Sequence, residues 1–326
     1  MELILAYDNH ENNLMKNIFW ILLIAYCSML TVNSQAQVSD ADLPQMKIYE
    51  DSLKELGDST LNAQQQVIRQ TASWEFIRTL KKALLIDGSF EYPFDSLSYT
   101  AIQYPEDKSF RIFTWRVQSV DGSFHFYGCI QKKDLKKNEP KFYPLFDHSG
   151  YIKHPMDTIL NNECWYGSMY YKIMKSGKYY LLFGFDQNNP RSNRKVVDVL
   201  TFDKTGTPIF GAPIFNYVTE KGDAKVCTRF MIEYKKDAKA KLSYDTDYEM
   251  IIFDHLIPQT PLGKGLLYTY IPDGTYEGFE FKKGKWNYVS KVFDDKNSQD
   301  DINQAPIDFD SQNKNFGKGK KNEPPK

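Results

Sequence analysis

The sequence predicts a mainly β protein: an antiparallel multi-sheet domain, propeller-like or a large sandwich, with an N-terminal helical arm. Three observations predict it. The chain carries 22 Tyr and 22 Phe, and aromatic side chains suit a pleated, half-buried surface. Glycine-bearing turn signals recur between apolar runs, at "SVDGSF" (119–124), "KSGKYY" (175–180), "DKTGTP" (203–208) and "KKGKW" (282–286), the pattern of hairpins. Several runs are apolar on both faces. In "FRIFTWRV", Phe110 and Ile112 fall on one side of a strand, and Phe113, Trp115 and Val117 on the other. A strand of that kind needs a cover on each face, so the sheets must stack or radiate. The hairpin intervals are uneven, and no repeat counts blades.

Taken in order, "MELILAYDNHENNL" (1–14) precedes a second Met and reads as a start-site artefact. Residues 15–36 read as a signal peptide. Lys16 supplies the positive n-region, Ile18 to Val32 the apolar stretch, and Ser34 and Ala36 the small residues a peptidase reads. The apolar stretch is short for a membrane span. Export to the periplasm or the extracellular space is therefore expected. Residues 37–89 form the helical arm. A short helix around Ile48 to Leu56 is expected to stop at Gly57. A second opens at Asp58 and Ser59 and carries Val67, Ile68, Ala72, Phe76, Ile77, Leu80, Ala83 and Leu84 at helical spacing, ending by Gly88. The β domain spans 90–294. From 295 to 326 the chain is polar and rich in Asn, Lys and Pro, which predicts a disordered tail.

Composition excludes some functions. Net charge is −1, so no global field draws nucleic acid. The chain has no G-x-S-x-G elbow, H-E-x-x-H, P-loop, G-x-G-x-x-G or EF-hand loop. Beyond the leader lie Cys129, Cys164 and Cys227, all in apolar strand contexts and without a C-x-x-C pair. They read as buried small hydrophobes.

Four sets of residues merit a functional reading. In "MIIFDHLIP", Asp254 and His255 follow a greasy run. They are either an acid/base pair at the mouth of a site or the polar end of a strand. On the second view Asp254 accepts backbone N–H bonds, His255 donates to a carbonyl, and Asp254→Asn costs about 1–3 kcal/mol. Asp147, His148 and His154 could join them around zinc, since His and carboxylate suit divalent ions, although no ligand spacing enforces it. Asp186, Asn188, Asp245, Asp247 and Asp273 sit in acidic loops where oxygen ligands could take calcium, but Asx turns explain the same residues. Neither metal is expected as a resident cofactor. Trp165, Tyr166 and Trp286, with Tyr170 and Tyr288, could stack on a glycan or peptide, or simply pack the core.

The blocks "SFEYPFDSL", "DKSFRIFTWRV", "GSFHFYGCIQ", "CWYGSMYY", "YYLLFGFD", "RKVVDVLTF", "IFGAPIF", "MIIFDHL" and "YIPDGTYEGF" follow one another over about residues 45–290. In that order the chain resembles an uncharacterised exported protein family typical of Bacteroidota. The resemblance implies export and supplies no activity, cofactor or site residue. The expectation is an exported, non-enzymatic binding or envelope-associated protein, with an envelope or extracellular glycan or protein as partner. The alternative is a hydrolase with a metal-assisted site near Asp254 and His255.

Overall fold

In the computed structural model, which describes residues 37–135 and 139–293, strands outweigh helices, 42% against 22%. The expected start-site artefact (1–14), signal peptide (15–36) and tail (295–326) lie outside the described residues. No helix among the described residues is long and apolar enough to cross a membrane.

Two helices form the arm, α1 (Leu43–Asn62) and α2 (Gln66–Leu85). Gly57 does not end α1, contrary to expectation. It lies buried inside the helix, where a Cβ would meet Phe76 and Tyr99 at ordinary van der Waals separation. A helical glycine costs about 1 kcal/mol relative to alanine, and packing against α2 offsets it. The break comes at residues 63–65. There Arg69 donates to the carbonyls of Ala63 (2.8 Å) and Gln64 (3.0 Å), and through Nε to that of Gln118 (3.0 Å). One guanidinium thus ties the inter-helix turn to the first sheet.

That sheet has β1 (Ala101–Gln103), β2 (Phe110–Gln118), β3 (Phe124–Lys132) and β4 (Phe142–Phe146) in sequential antiparallel order. The second contains β5 (Leu160–Asn161), β6 (Met169–Ser176), β7 (Tyr179–Asp186), β8 (Ser192–Phe202) and β9 (Pro208–Phe210), ordered β5-β9-β8-β7-β6. The third is built from β10 (Phe215–Val218), β11 (Ala224–Cys227), β13 (Leu242–Asp245), β14 (Met250–Pro258), β15 (Tyr270–Lys282) and β16 (Lys285–Val289), ordered β11-β10-β16-β15-β14-β13. Strand β12 (Phe230–Lys235) pairs the first half of β8 and belongs to the second sheet. Among the described residues, all pairs of these strands are antiparallel except β10 with β16.

The double-sided strands explain the layering. Phe113 and Trp115 of β2 pack under α1 and α2 with Phe76, Leu80 and Leu84. Phe110 and Ile112, on its other face, meet Leu182 of β7 and Leu200 of β8. On β7, Leu181, Phe183 and Phe185 point the opposite way, toward Phe253, Phe279 and Trp286 of the third sheet. The order is arm, first sheet, second sheet, third sheet, and the described residues form no closed barrel. Each layer removes large aromatic and aliphatic side chains from water, at about 1.5–3 kcal/mol apiece.

Candidate functional site

Strand β14 does not stop at Asp254, as the sequence reading supposed. It continues to Pro258 with a bulge: Asp254 opposes Tyr276 and Leu256 opposes Pro272, leaving His255 without a cross-strand partner. Bulges re-aim side chains and are common beside functional sites. On β15 the skipped residues are Asp273, Gly274 and Thr275, and Gly274 takes φ 86°. The unpaired His255 reaches them, with Nδ1 lying 3.0 Å from Asp273 Oδ2. The other Asp273 oxygen accepts from Thr275 N (2.9 Å) and Oγ1 (2.7 Å). Burial opposes ionisation of Asp273, but these bonds and the imidazole hold its carboxyl below the usual range.

Asp254 is buried. Its backbone N–H donates to Lys241 O (3.1 Å), and its Oδ2 accepts from Lys241 N. The carboxylate therefore anchors the entry into β13. Burial pushes its pKa up to about 6, against the lowering effect of the Lys241 backbone bond and the Lys241 and Lys195 charges.

Asp254 and His255 line a cavity of about 430 Å3 where the second and third sheets part. Glu220, Tyr217, Glu277 and Tyr288 contribute to the same lining. The Tyr288 hydroxyl donates to Glu277 Oε1. Burial raises the Glu277 carboxyl despite that bond. Burial and the adjacent carboxylate likewise push the Tyr288 phenol well up. The Tyr217 and Tyr288 rings meet edge to face at 5.2 Å. The cleft thus joins tyrosine faces to carboxylate oxygens, a lining suited to an uncharged polyol or a cation.

Asp147, His148 and His154 do not join this cleft's lining. Asp147 is a hub of its own. Its oxygens accept from Phe126 N (2.9 Å), Ser149 N (2.9 Å), Ser149 Oγ and Gly167 N (3.3 Å). Gly167 is needed for that approach, since a Cβ there would sit 2.5 Å from Asp147 Cγ. Burial works against the Asp147 charge, yet His125 and these donors hold its carboxyl low. His148 Nδ1 sits 3.1 Å from Phe146 O, and His154 O accepts from Thr158. Among the described residues no group of three His, Cys, Asp or Glu side chains forms a metal site.

The proposed stacking platforms face the core. Trp165, Tyr166 and Trp286 are at most 2% exposed, so they offer no ring face to a ligand. Trp165 and Tyr166 instead support a polar network beneath the second sheet. Trp165 Nε1 donates to Tyr170 Oη (2.9 Å), which donates to Asp198 (3.3 Å). Tyr166 Oη donates to Asp186 (2.7 Å) and accepts from Arg194 (3.2 Å). Arg229 Nε lies 2.9 Å from Asp198 Oδ1, with both side chains fully buried. That approach is off the N–H axis, because Nε and Nη2 have no directed hydrogen bond. Charge therefore holds the pair, while Nη1 donates to Pro155 O. Trp286 Nε1 donates to Ser176 Oγ (3.2 Å).

The calcium candidates are occupied by turns. Asp186 Oδ1 accepts from Asn188 N (2.6 Å), and Asp245 Oδ1 from Asp247 N (3.0 Å) and Tyr248 N (3.2 Å). Sequence reading missed Glu277 and Tyr217. Glu277 had a signal: in "YEGFEF" it shares a face with the buried Phe279, an acid at an inward position. No family model, curated protein or solved structure matches the chain.

Proposed function

We propose that the protein is an exported, non-enzymatic, envelope-associated binding protein whose cleft takes a segment of glycan. The lining of the 430 Å3 cleft carries this reading. Tyrosine rings suit the C–H faces of a sugar, and carboxylate oxygens accept its hydroxyls. The same carboxylates disfavour phosphate, and with it nucleic acid. Several of the cleft's ionisable groups are already engaged: Asp254 by Lys241, His255 by Asp273, and Glu277 by Tyr288. The reading calls on no cofactor, zinc and calcium included. The leader-like sequence of residues 15–36 supports export to the periplasm or extracellular space.

One observation favours a hydrolase instead. A cleft carboxyl near pKa 6 beside a histidine–aspartate pair suits general acid–base work. A glycan array separates the two. The binding reading expects saturable signal that falls in Glu277→Gln and Tyr288→Ala, with the captured oligosaccharide intact by mass spectrometry. Shortened oligosaccharide supports the hydrolase, and no signal across the array refutes glycan binding.

A further inference from the structure

A second cavity, of about 330 Å3, lies between α2 and the outer face of the first sheet. Its origin is readable from register. Cys129 opposes Pro144, Tyr127 opposes Phe146 and Gln131 opposes Phe142. With side chains alternating, Phe142, Pro144 and Phe146 share the helix-facing side with Tyr127 and Cys129. Tyr143 and Leu145 turn to the opposite core. Both helices pack over β2, so the β3–β4 flank of that face keeps an apolar trough. Leu80 and Leu84 of α2 form one wall, and Trp115 and Cys129 lie along the floor. Ile77 (38% exposed) and Phe146 (51%) form the rim.

Among the described residues that line the cavity, one is a cation. Lys81 lines the cavity and has no hydrogen-bond or ion-pair partner among the described residues. The neighbouring charges Arg78 and Glu75 pair with each other, as do Lys141 and Asp87. An apolar trough with the unpaired Lys81 ammonium at its mouth complements one kind of molecule. We propose that this trough binds a single-chain anionic amphiphile, with its acyl chain against Leu80, Leu84, Cys129 and Phe146 and its carboxylate on Lys81. Burial keeps the Cys129 thiol protonated, so it lines the floor as an apolar group and forms no covalent bond to the chain. The site is independent of the acidic cleft.

Titration calorimetry of the full chain with dodecanoate, below its micelle concentration, tests the assignment. Saturable binding is expected. Lys81→Glu, at an exposed position, should weaken dodecanoate at least tenfold and change 1-dodecanol less than twofold. Ile77→Trp, at the rim, should weaken both, with circular dichroism confirming the fold. Absence of saturable binding overturns the proposal. So does dodecanoate affinity that survives Lys81→Glu, or binding indifferent to Ile77→Trp.

Discussion

Replacing Asp254 by Asn removes one titrating group from the wall of the cleft and keeps an oxygen for the Lys241 N–H. Burial moves the Asp254 pKa from 3.8 to about 6. Each tenfold change in acidity is worth about 1.4 kcal/mol, so ionising the folded protein there costs about 3 kcal/mol. The sign follows from linkage. Because the folded pKa is the higher one, the contribution is fully present below pH 3.8 and is lost as pH rises through about 6. Asn does not titrate. The stability of Asp254→Asn relative to the parent should therefore improve across that window by about 3 kcal/mol, or roughly 6–12 °C in melting temperature. This reverses the cost of about 1–3 kcal/mol that the sequence alone suggests for disturbing a hydrogen-bonded acid. Urea melts of both proteins at about pH 3 and about pH 7 measure the difference. A difference that is constant with pH refutes the reasoning. A parent that gains on the variant as pH rises does so more strongly, because Lys241 and Lys195 would then dominate burial.

Breaking the Asp198–Arg229 pair with Asp198→Ala should destabilise by about 3–5 kcal/mol, because a fully buried guanidinium is left uncompensated. Asp198→Leu combined with Arg229→Met should recover most of that loss in chemical denaturation. Asp147→Ala strips an acceptor from three backbone N–H groups and should cost of order 3 kcal/mol, read by thermal melts. Trp286→Ala should lower stability by about 3–5 kcal/mol, and in calorimetry it should leave the stoichiometry of glycan binding unchanged, because the ring faces the core.

The hairpins were legible because their turns need φ > 0. Gly122, Gly177, Gly206 and Gly284 take φ of 79°, 60°, 90° and 77°, and glycine adopts those values without a Cβ penalty. Double-sided burial was legible for β2 and β7 because large apolar residues occupy both parities. Gly57 misled because glycine weakens a helix without terminating it, and only the packing of α1 on α2 decides. The cleft was half legible. Asp254 and His255 stood out as polar residues closing an apolar run. Their partners, Lys241, Asp273 and Glu277, became neighbours only through the pairing of β13, β14 and β15. A bulge changes which residues face one another, and nothing local in "FDHL" announces it. The aromatic platforms failed for a related reason. Residue type gives a ring's size but not its side of the sheet, and Trp165, Tyr166 and Trp286 all lie between layers.

The location of ligand is the most direct test of the cleft assignment. Hydrogen–deuterium exchange should be measured on the full chain with and without an oligosaccharide selected on the array. Slower exchange is expected in the peptides spanning residues 253–258 and 270–277, where the bulge and Glu277 face the cavity. Protection confined to the trough between α2 and β4, or no protection at saturating oligosaccharide, contradicts the account.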